Sequence, residues 1–303
     1  MNDPPVVSED EIRSAARGAG VVVLSVAFDS AEIEVGGTRV SAYFGNLRPV
    51  LSTLTSEGRI ALLTMFLQDR SRFAETPESP TIESIRSRVM PRLGPAGHSA
   101  DLDSDARPAR WTLVEEHLAV YLVVDEPSHL WYVQPRHLEE WRSSYEALYD
   151  CAYENLAKST DPTKVKTIRG PPGLFSYFSG DSFDASRCLL LGQLAAPWPE
   201  HGCLFAAPTR DHLLFAPIRN GFFLKDLNGL IELGGRIFAE QGYRISDQPF
   251  WFDGQTWERI PLTRAGKKFA VAPSDRFNEM MIKLVGQHLK EHPEDVPPSP
   301  GTR

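Results

Sequence analysis

Leu118-Ala119-Val120-Tyr121-Leu122-Val123-Val124, closed by Asp125-Glu126-Pro127, is the segment on which the reading of the fold turns. A run this apolar, too short for a free-standing helix and stopped by two acidic residues and a proline, fits a strand covered on both faces. It is far below the roughly 20 residues that a membrane helix needs, and so is the run over 21–28. A further strand is expected over 129–133, which makes the acidic break the turn of a hairpin.

Downstream, strands and helices interleave. Ser143 and Glu146 have the spacing of a capping box, and Tyr145, Leu148, Tyr149, Ala152 and Leu156 mark one face of the helix that follows. A second helix is expected after Gly180-Asp181, with its stripe through Phe183, Leu190 and Leu194. Residues 203–207 and 212–216 read as paired strands around Pro208-Thr209-Arg210-Asp211. Leu227, Leu230, Ile231, Ile237 and Phe238 mark a third helix that ends at Gly242. Asp253-Gly254 between aromatic runs predicts a two-residue hairpin in which Phe252 faces Gln255 and Phe250 faces Trp257. Residues 274–292 form a last amphipathic helix, with Phe277, Met281, Leu284 and Leu289 inward.

Upstream, 21–28, 32–35 and 39–44 are β-branched, partly alternating and separated by Asp29-Ser30 and Gly36-Gly37, the pattern of an antiparallel meander. Leu47, Val50, Leu51, Leu54, Leu62, Met65 and Phe66 recur at helical spacing, with a break near Gly58. The expected class is α+β: a small N-terminal antiparallel sheet with covering helices over 1–92, then a larger mixed α/β lobe over 111–292, with hairpins and a C-terminal helix. The Gly-, Pro- and Asp-rich stretch 93–110 reads as a linker, and the Pro-rich 293–303 as a disordered tail.

Composition narrows function. The formal net charge of -8 and pI near 5.5 argue against nucleic acid and anionic membranes as partners. No positive segment leads into an apolar one at the N-terminus, so the expected compartment is the cytoplasm. Cys151, Cys188 and Cys203 form no C-x-x-C pair and read as reduced thiols, without a structural zinc.

In the second lobe, 118–127, Leu148-Tyr149 with Ala152 and Glu154-Asn155-Leu156, Gly180-Asp181-Ser182-Phe183-Asp184-Ala185-Ser186-Arg187, and Ala207-Pro208-Thr209-Arg210-Asp211-His212-Leu213 resemble the bacterial YtpQ-like family in order and spacing. The resemblance covers roughly 112–260, and more weakly the N-terminal part at Gly45-Asn46-Leu47. That family's function is not established, so the resemblance implies a fold and no reaction. The insertion Ala196-Pro197-Trp198-Pro199 and the extended C-terminal helix depart from the family pattern.

Several local patterns invite chemistry. Asp181, Asp184, Ser186 and Arg187 set two carboxylates, a hydroxyl and a guanidinium within two helical turns. With Arg210 and Asp211 they are the candidate catalytic residues of a hydrolase or metal-dependent enzyme. The competing reading makes Asp181 an N-cap, with Asp184 on the first-turn amides, and Arg210-Asp211 a surface pair. His288-Leu289-Lys290-Glu291-His292 matches H-x-x-E-H, yet Pro293 ends the helix at once and no third ligand is evident. Gly229, Gly234 and Gly235 inside a helix imply close packing. Phosphate-loop, dinucleotide and G-x-S-x-G patterns each fail at a required position. No complete catalytic set remains, so the expectation is a cytosolic interaction or regulatory module, without a cofactor and with a protein partner. Trp251, on the hairpin face opposite Phe250, Phe252 and Trp257, and Trp198 are the candidate partner-binding residues.

Overall fold

The computed structural model describes residues 7–26, 30–44, 47–74, 80–97, 107–126, 130–171, 173–265 and 268–292. The architecture is α+β, in two compact units, 1–81 with 240–243 and 82–239 with 244–303. The 293–303 segment read as a tail lies outside the described residues.

The first unit runs α1 (Glu9–Ala19), β1 (Val22–Val26), β2 (Ser30–Val35), β3 (Thr38–Tyr43), α2 (Arg48–Leu51) and α3 (Ser56–Ala74). Its strands make the expected antiparallel meander in the order β1-β2-β3. Ser8 caps α1 and the Glu11 carboxylate returns to the Ser8 amide, a reciprocal pair that satisfies two orphan N–H groups. Ile12, Ala15 and Ala16 of α1 and Leu63 and Leu67 of α3 close a core over Ile33 and Ala42. The helical pattern over 47–67 does break, at 52–55, and Gly58 falls in the first turn of α3.

The second unit opens with α4 (Ile82–Ile85), β4 (Val89–Pro95), β5 (Arg110–Val114), β6 (Leu118–Asp125) and β7 (Leu130–Tyr132). β6 is central, pairing antiparallel with β4 on one side and with β5 and β7 on the other, and residues 118–124 are all buried. Of the 93–110 stretch expected as a linker, 93–95 instead continue β4 and Arg110 opens β5, while 98–106 lie outside the described residues; the two units divide at 81/82. The prolines and glycine that suggested a linker have a place in this strand. Met90, Arg92 and Gly94 alternate with Pro91, Leu93 and Pro95, whose N–H positions face away from β6, and proline is tolerated at such an edge. Leu93, between the two prolines, does present an outward N–H, which donates to Ser186 Oγ at 2.9 Å. Gly94 lies under the Tyr121 ring, where a Cβ would meet Cε2 at 3.1 Å.

α5 (Pro135–Glu140) and α6 (Tyr145–Ser159) follow. The cap of α6 is Ser144, which accepts the Ala147 amide at 3.2 Å, one residue later than the expected Ser143. Next come β8 (Val165–Thr167), β9 (Phe175–Tyr177), a 3-10 turn (Ala185–Leu190), α7 (Leu191–Leu194), β10 (Cys203–Thr209), β11 (His212–Pro217), α8 (Phe223–Glu240), β12 (Phe250–Phe252) and β13 (Trp257–Arg259). β14 (Leu262–Ala265) and β15 (Lys268–Val271) pair with each other, and α9 (Asp275–Glu291) is last among the described residues. The helix expected after Gly180-Asp181 is thus a 3-10 turn running into one short helix.

A six-stranded antiparallel sheet, in the order β13-β12-β10-β11-β9-β8, is the middle layer. Alternation along β10 sends Cys203, Phe205 and Ala207 to a cluster shared with Leu93, Val120 and Leu191 on the side of the β4-β6-β5 sheet. Leu204 and Ala206 go to the opposite cluster, with Phe223, Leu227 and Leu230 of α8 and Phe277 and Leu284 of α9. Burying each of these larger side chains stabilises the fold by about 1.5–3 kcal/mol.

The β12-β13 register differs from expectation. Phe252 opposes Trp257 and Phe250 opposes Arg259, so the connection holds four residues instead of two. Asp253 is the reason: its Oδ1 accepts the amides of Gln255 and Thr256, both at 2.7 Å, and so bends the chain into a longer turn. The face assignment is unaffected, with Phe252 and Trp257 stacked at 3.9 Å on the side of Phe250.

Candidate functional site

Arg187 is fully buried at the middle of the 3-10 turn, and Asp181 and Asp184 both reach it. The loop before the turn winds around the Asp184 carboxylate. Its Oδ1 accepts the Ser179 amide at 2.8 Å and the Ser179 hydroxyl at 2.6 Å, and its Oδ2 accepts the Gly180 amide at 3.2 Å. That tight path puts Gly180 at φ +80° and Ser182 at φ +67°, the second a left-handed conformation that costs a non-glycine residue roughly 1–2 kcal/mol. Asp181 Oδ1 accepts the Phe183 amide at 3.0 Å.

The guanidinium has five N–H bonds, and each has an acceptor. Nε donates to Thr160 Oγ1 at 3.0 Å. Nη1 donates to Asp181 Oδ1 at 2.9 Å and Asp184 Oδ1 at 3.3 Å. Nη2 donates to Asp181 Oδ2 at 2.5 Å and to the Ser159 carbonyl at 3.4 Å. The cation also sits 4.7 Å from the Tyr177 ring centroid. Burial pushes the Asp181 carboxyl up, but the Arg187 hydrogen bonds and charge outweigh it and hold it below the usual value. Arg187 shifts up for the complementary reason: burial opposes its charge and Asp181 more than compensates.

Of the six candidate catalytic residues, Asp181, Asp184 and Arg187 therefore converge. Ser186 points elsewhere, to the Leu93 amide. The Arg210 carbonyl accepts the Ala185 amide at 3.0 Å, while Arg210 Nε pairs with Asp211 at 3.1 Å. Neither aspartate is a simple N-cap, because both carboxylates are bound to the arginine as well as to loop amides. Ser159, Thr160, Tyr177 and Ser179 complete the cluster, and no motif spacing marks them in the sequence.

Two further groups adjoin it. Thr209 Oγ1 lies 2.9 Å from His212 Nδ1, but Thr209 is fully buried and offers no approach to a substrate. Burial pushes the His212 imidazole down, opposed by Asp211 and Asp184. Burial also pushes the Asp125 carboxyl up, with the Asp181 charge adding to the effect and Arg92 opposing it.

Among the described residues, no three His, Cys, Asp or Glu side chains group closely enough to hold a metal ion. His288 and His292 lie on the last turns of α9 with ring centroids 4.7 Å apart, both against Phe222, and Glu291 is exposed. Burial pushes the Cys188 and Cys203 thiols well above their usual range, which removes them as nucleophiles.

Trp251 is corrected as an open partner surface. It is only 4% exposed, with Phe277 of α9 edge-on at 5.1 Å and its indole N–H donating to the His201 carbonyl at 2.9 Å. Trp198 is half-buried, packed edge-on against Phe252 at 5.5 Å.

No family model, no curated protein and no solved structure matches this chain. No helix of the described residues is long and apolar enough to cross a membrane.

Proposed function

We propose that this chain is a non-catalytic cytosolic module, related to the YtpQ-like family, that acts by binding a protein partner. The observation that carries this reading is the saturation of Arg187. Its five donors are all spent within the chain, and Asp184 is sealed from solvent by Ser179, Gly180 and Arg187. An arginine that recognises a substrate keeps donors free and faces a cavity, whereas this one closes a loop onto α6 and β9. Neither the cleft bounded by Arg107, Arg110 and Tyr145 nor the one beside Trp251 includes any of the six candidate catalytic residues.

One observation favours hydrolytic chemistry instead. Burial and the Asp181 charge push the Asp125 carboxyl up, while at Asp181 burial is outweighed by Arg187, which holds that carboxyl down, so the two are driven apart as in an acid and base pair. The test assays the full chain against ester, phosphoester, glycoside and peptide substrates, beside Asp181→Asn and Asp125→Asn, and cross-links the wild type in cells. The binding reading expects no turnover that either variant abolishes, and a discrete cross-linked partner. Turnover lost in both variants while each keeps the wild-type far-ultraviolet circular dichroism at the assay temperature would replace it with the hydrolase reading.

A further inference from the structure

The hairpin that carries Trp251 already holds a side chain of its own chain. Arg276, in the first turn of α9, places its guanidinium carbon 4.6 Å from the centroid of the Trp251 ring. Its Nη1 pairs with Asp253 and its Nη2 with Glu258. An aromatic face and two carboxylates, one for each arm of the fork, supply what a guanidinium requires and what a lysine ammonium uses less well.

These groups are positioned by contacts other than Arg276. Asp253 accepts the Gln255 and Thr256 amides and, through Oδ2, the Thr256 hydroxyl at 3.0 Å. Burial pushes the Asp253 carboxyl up, and the turn amides together with Arg276 bring it below the usual value. Glu258 Oε2 accepts the Ser274 hydroxyl at 2.6 Å, and the Trp251 ring is fixed by Phe277 and by its bond to His201. The Arg276 side chain itself is 45% exposed. Beside it lies a cleft of about 370 Å³ lined by Trp251 and Asp253 and running to Glu200, Gln255 and Met280, and Glu258, outside that lining, is itself partly exposed, so the groups can be reached without unfolding the sheet. Because Arg276 meets solvent along almost half of its side chain, it can leave the site without opening the core, which makes it a replaceable occupant.

We propose that Trp251, Asp253 and Glu258 form a guanidinium-binding site, filled in cis by Arg276, that takes an arginine side chain from a partner protein. The proposal rests on the reading of the chain as a binding module and names the surface and the chemistry that module uses. Arg276 then acts as an internal competitor that sets how strongly a partner must bind.

The test uses the full chain carrying Arg276→Ala and follows the Trp251 indole N–H resonance, assigned from Trp251→Phe, during titration with arginine amide, lysine amide or potassium chloride at matched ionic strength. Arginine amide is expected to shift the resonance saturably, with a midpoint roughly fivefold or more below that of lysine amide. The wild type is expected to need roughly fivefold more arginine amide than the variant, because its site is occupied. Adding Glu258→Gln to Arg276→Ala should abolish the preference. Should Ala lower the melting temperature, Arg276→Gln carries the same titration. An equal response to all three solutes, or none, overturns the site. Cross-linking of a partner that persists in Glu258→Gln while the titration fails would reject this site and leave the binding reading standing.

Discussion

Replacing Arg187 by Met is expected to destabilise the second unit by about 3–5 kcal/mol, the cost of removing one partner from a buried ionic pair. The magnitude follows from what is left behind. Asp184, fully buried, retains Ser179 and Gly180 as donors but loses its counter-charge, while Thr160 Oγ1 and the Ser159 carbonyl lose theirs altogether. Adding Asp184→Asn removes the stranded charge, so the double variant should recover about 1–3 kcal/mol relative to Arg187→Met. Asp181→Asn should cost less than half as much as Arg187→Met, because Asp181 is 36% exposed and the arginine keeps Asp184, Thr160 and Ser159. All six tryptophans, Trp111, Trp131, Trp141, Trp198, Trp251 and Trp257, lie in the second unit, so urea unfolding followed by tryptophan fluorescence reports on that unit. With a urea slope of about 2 kcal/mol/M, the Arg187→Met midpoint should fall by roughly 2 M. A fall below about 0.5 M would refute the claim that the cluster is a structural tie, as would an Asp184→Asn addition that deepens the loss. The Asp181 share depends on pH in a defined direction. Its carboxyl is held below the usual value, so that stability is complete above about pH 4 and is lost as pH falls through the depressed value.

Glu11 offers the corresponding test in the first unit. It is 8% exposed; burial pushes its carboxyl up, but hydrogen bonds from Arg59, Ser56 and the Ser8 amide bring it down to about 2. Glu11→Gln should therefore lose up to about 3 kcal/mol at neutral pH, and the gap should close as pH falls from about 4.5 towards 2. Acid titration by far-ultraviolet circular dichroism checks this, and a gap that persists at pH 2 would contradict it. Asp226, on α8, is 4% exposed and accepts the Gly173 amide at 2.9 Å; burial pushes its carboxyl up, outweighing that bond. Its ionisation therefore lowers stability as pH rises through the raised value. Asp226→Asn, which keeps the acceptor for Gly173, should match or exceed the wild-type melting temperature at pH 7 and lose that advantage below about pH 4. A lower melting temperature at pH 7 would show that the charge itself is needed.

Periodicity carried the parts of the fold that bury a continuous stripe or run. The apolar run of β6, the paired strands β10 and β11 and the helices α8 and α9 follow from it, because each buries enough apolar surface for its pattern to stand out; the N-terminal meander follows as much from its turn residues, since β1 leaves Val22 and Leu24 exposed. β4 was concealed by its own prolines, which sit where an edge strand has no ladder bond to lose. α1 was concealed differently, since Ser8-Glu9-Asp10-Glu11 contains the capping-box spacing but registers first as an acidic stretch. The hairpin turn shows how far local chemistry reaches: Asp253-Gly254 marks a turn, but whether two or four residues form it depends on which amides the Asp253 carboxylate captures. The same reasoning applies to the candidate site. The spacing of Asp181, Asp184 and Arg187 brings them together in the sequence as it does in space. Whether such a trio binds a ligand or closes a loop depends on how many of the five guanidinium donors remain free, and that count is set by Thr160 and Ser159 at the end of α6, 27 and 28 residues away. An arginine cluster read from spacing alone is therefore ambiguous between a site and a tie. The two are separated by acceptors contributed from distant segments, which is the information that folding adds.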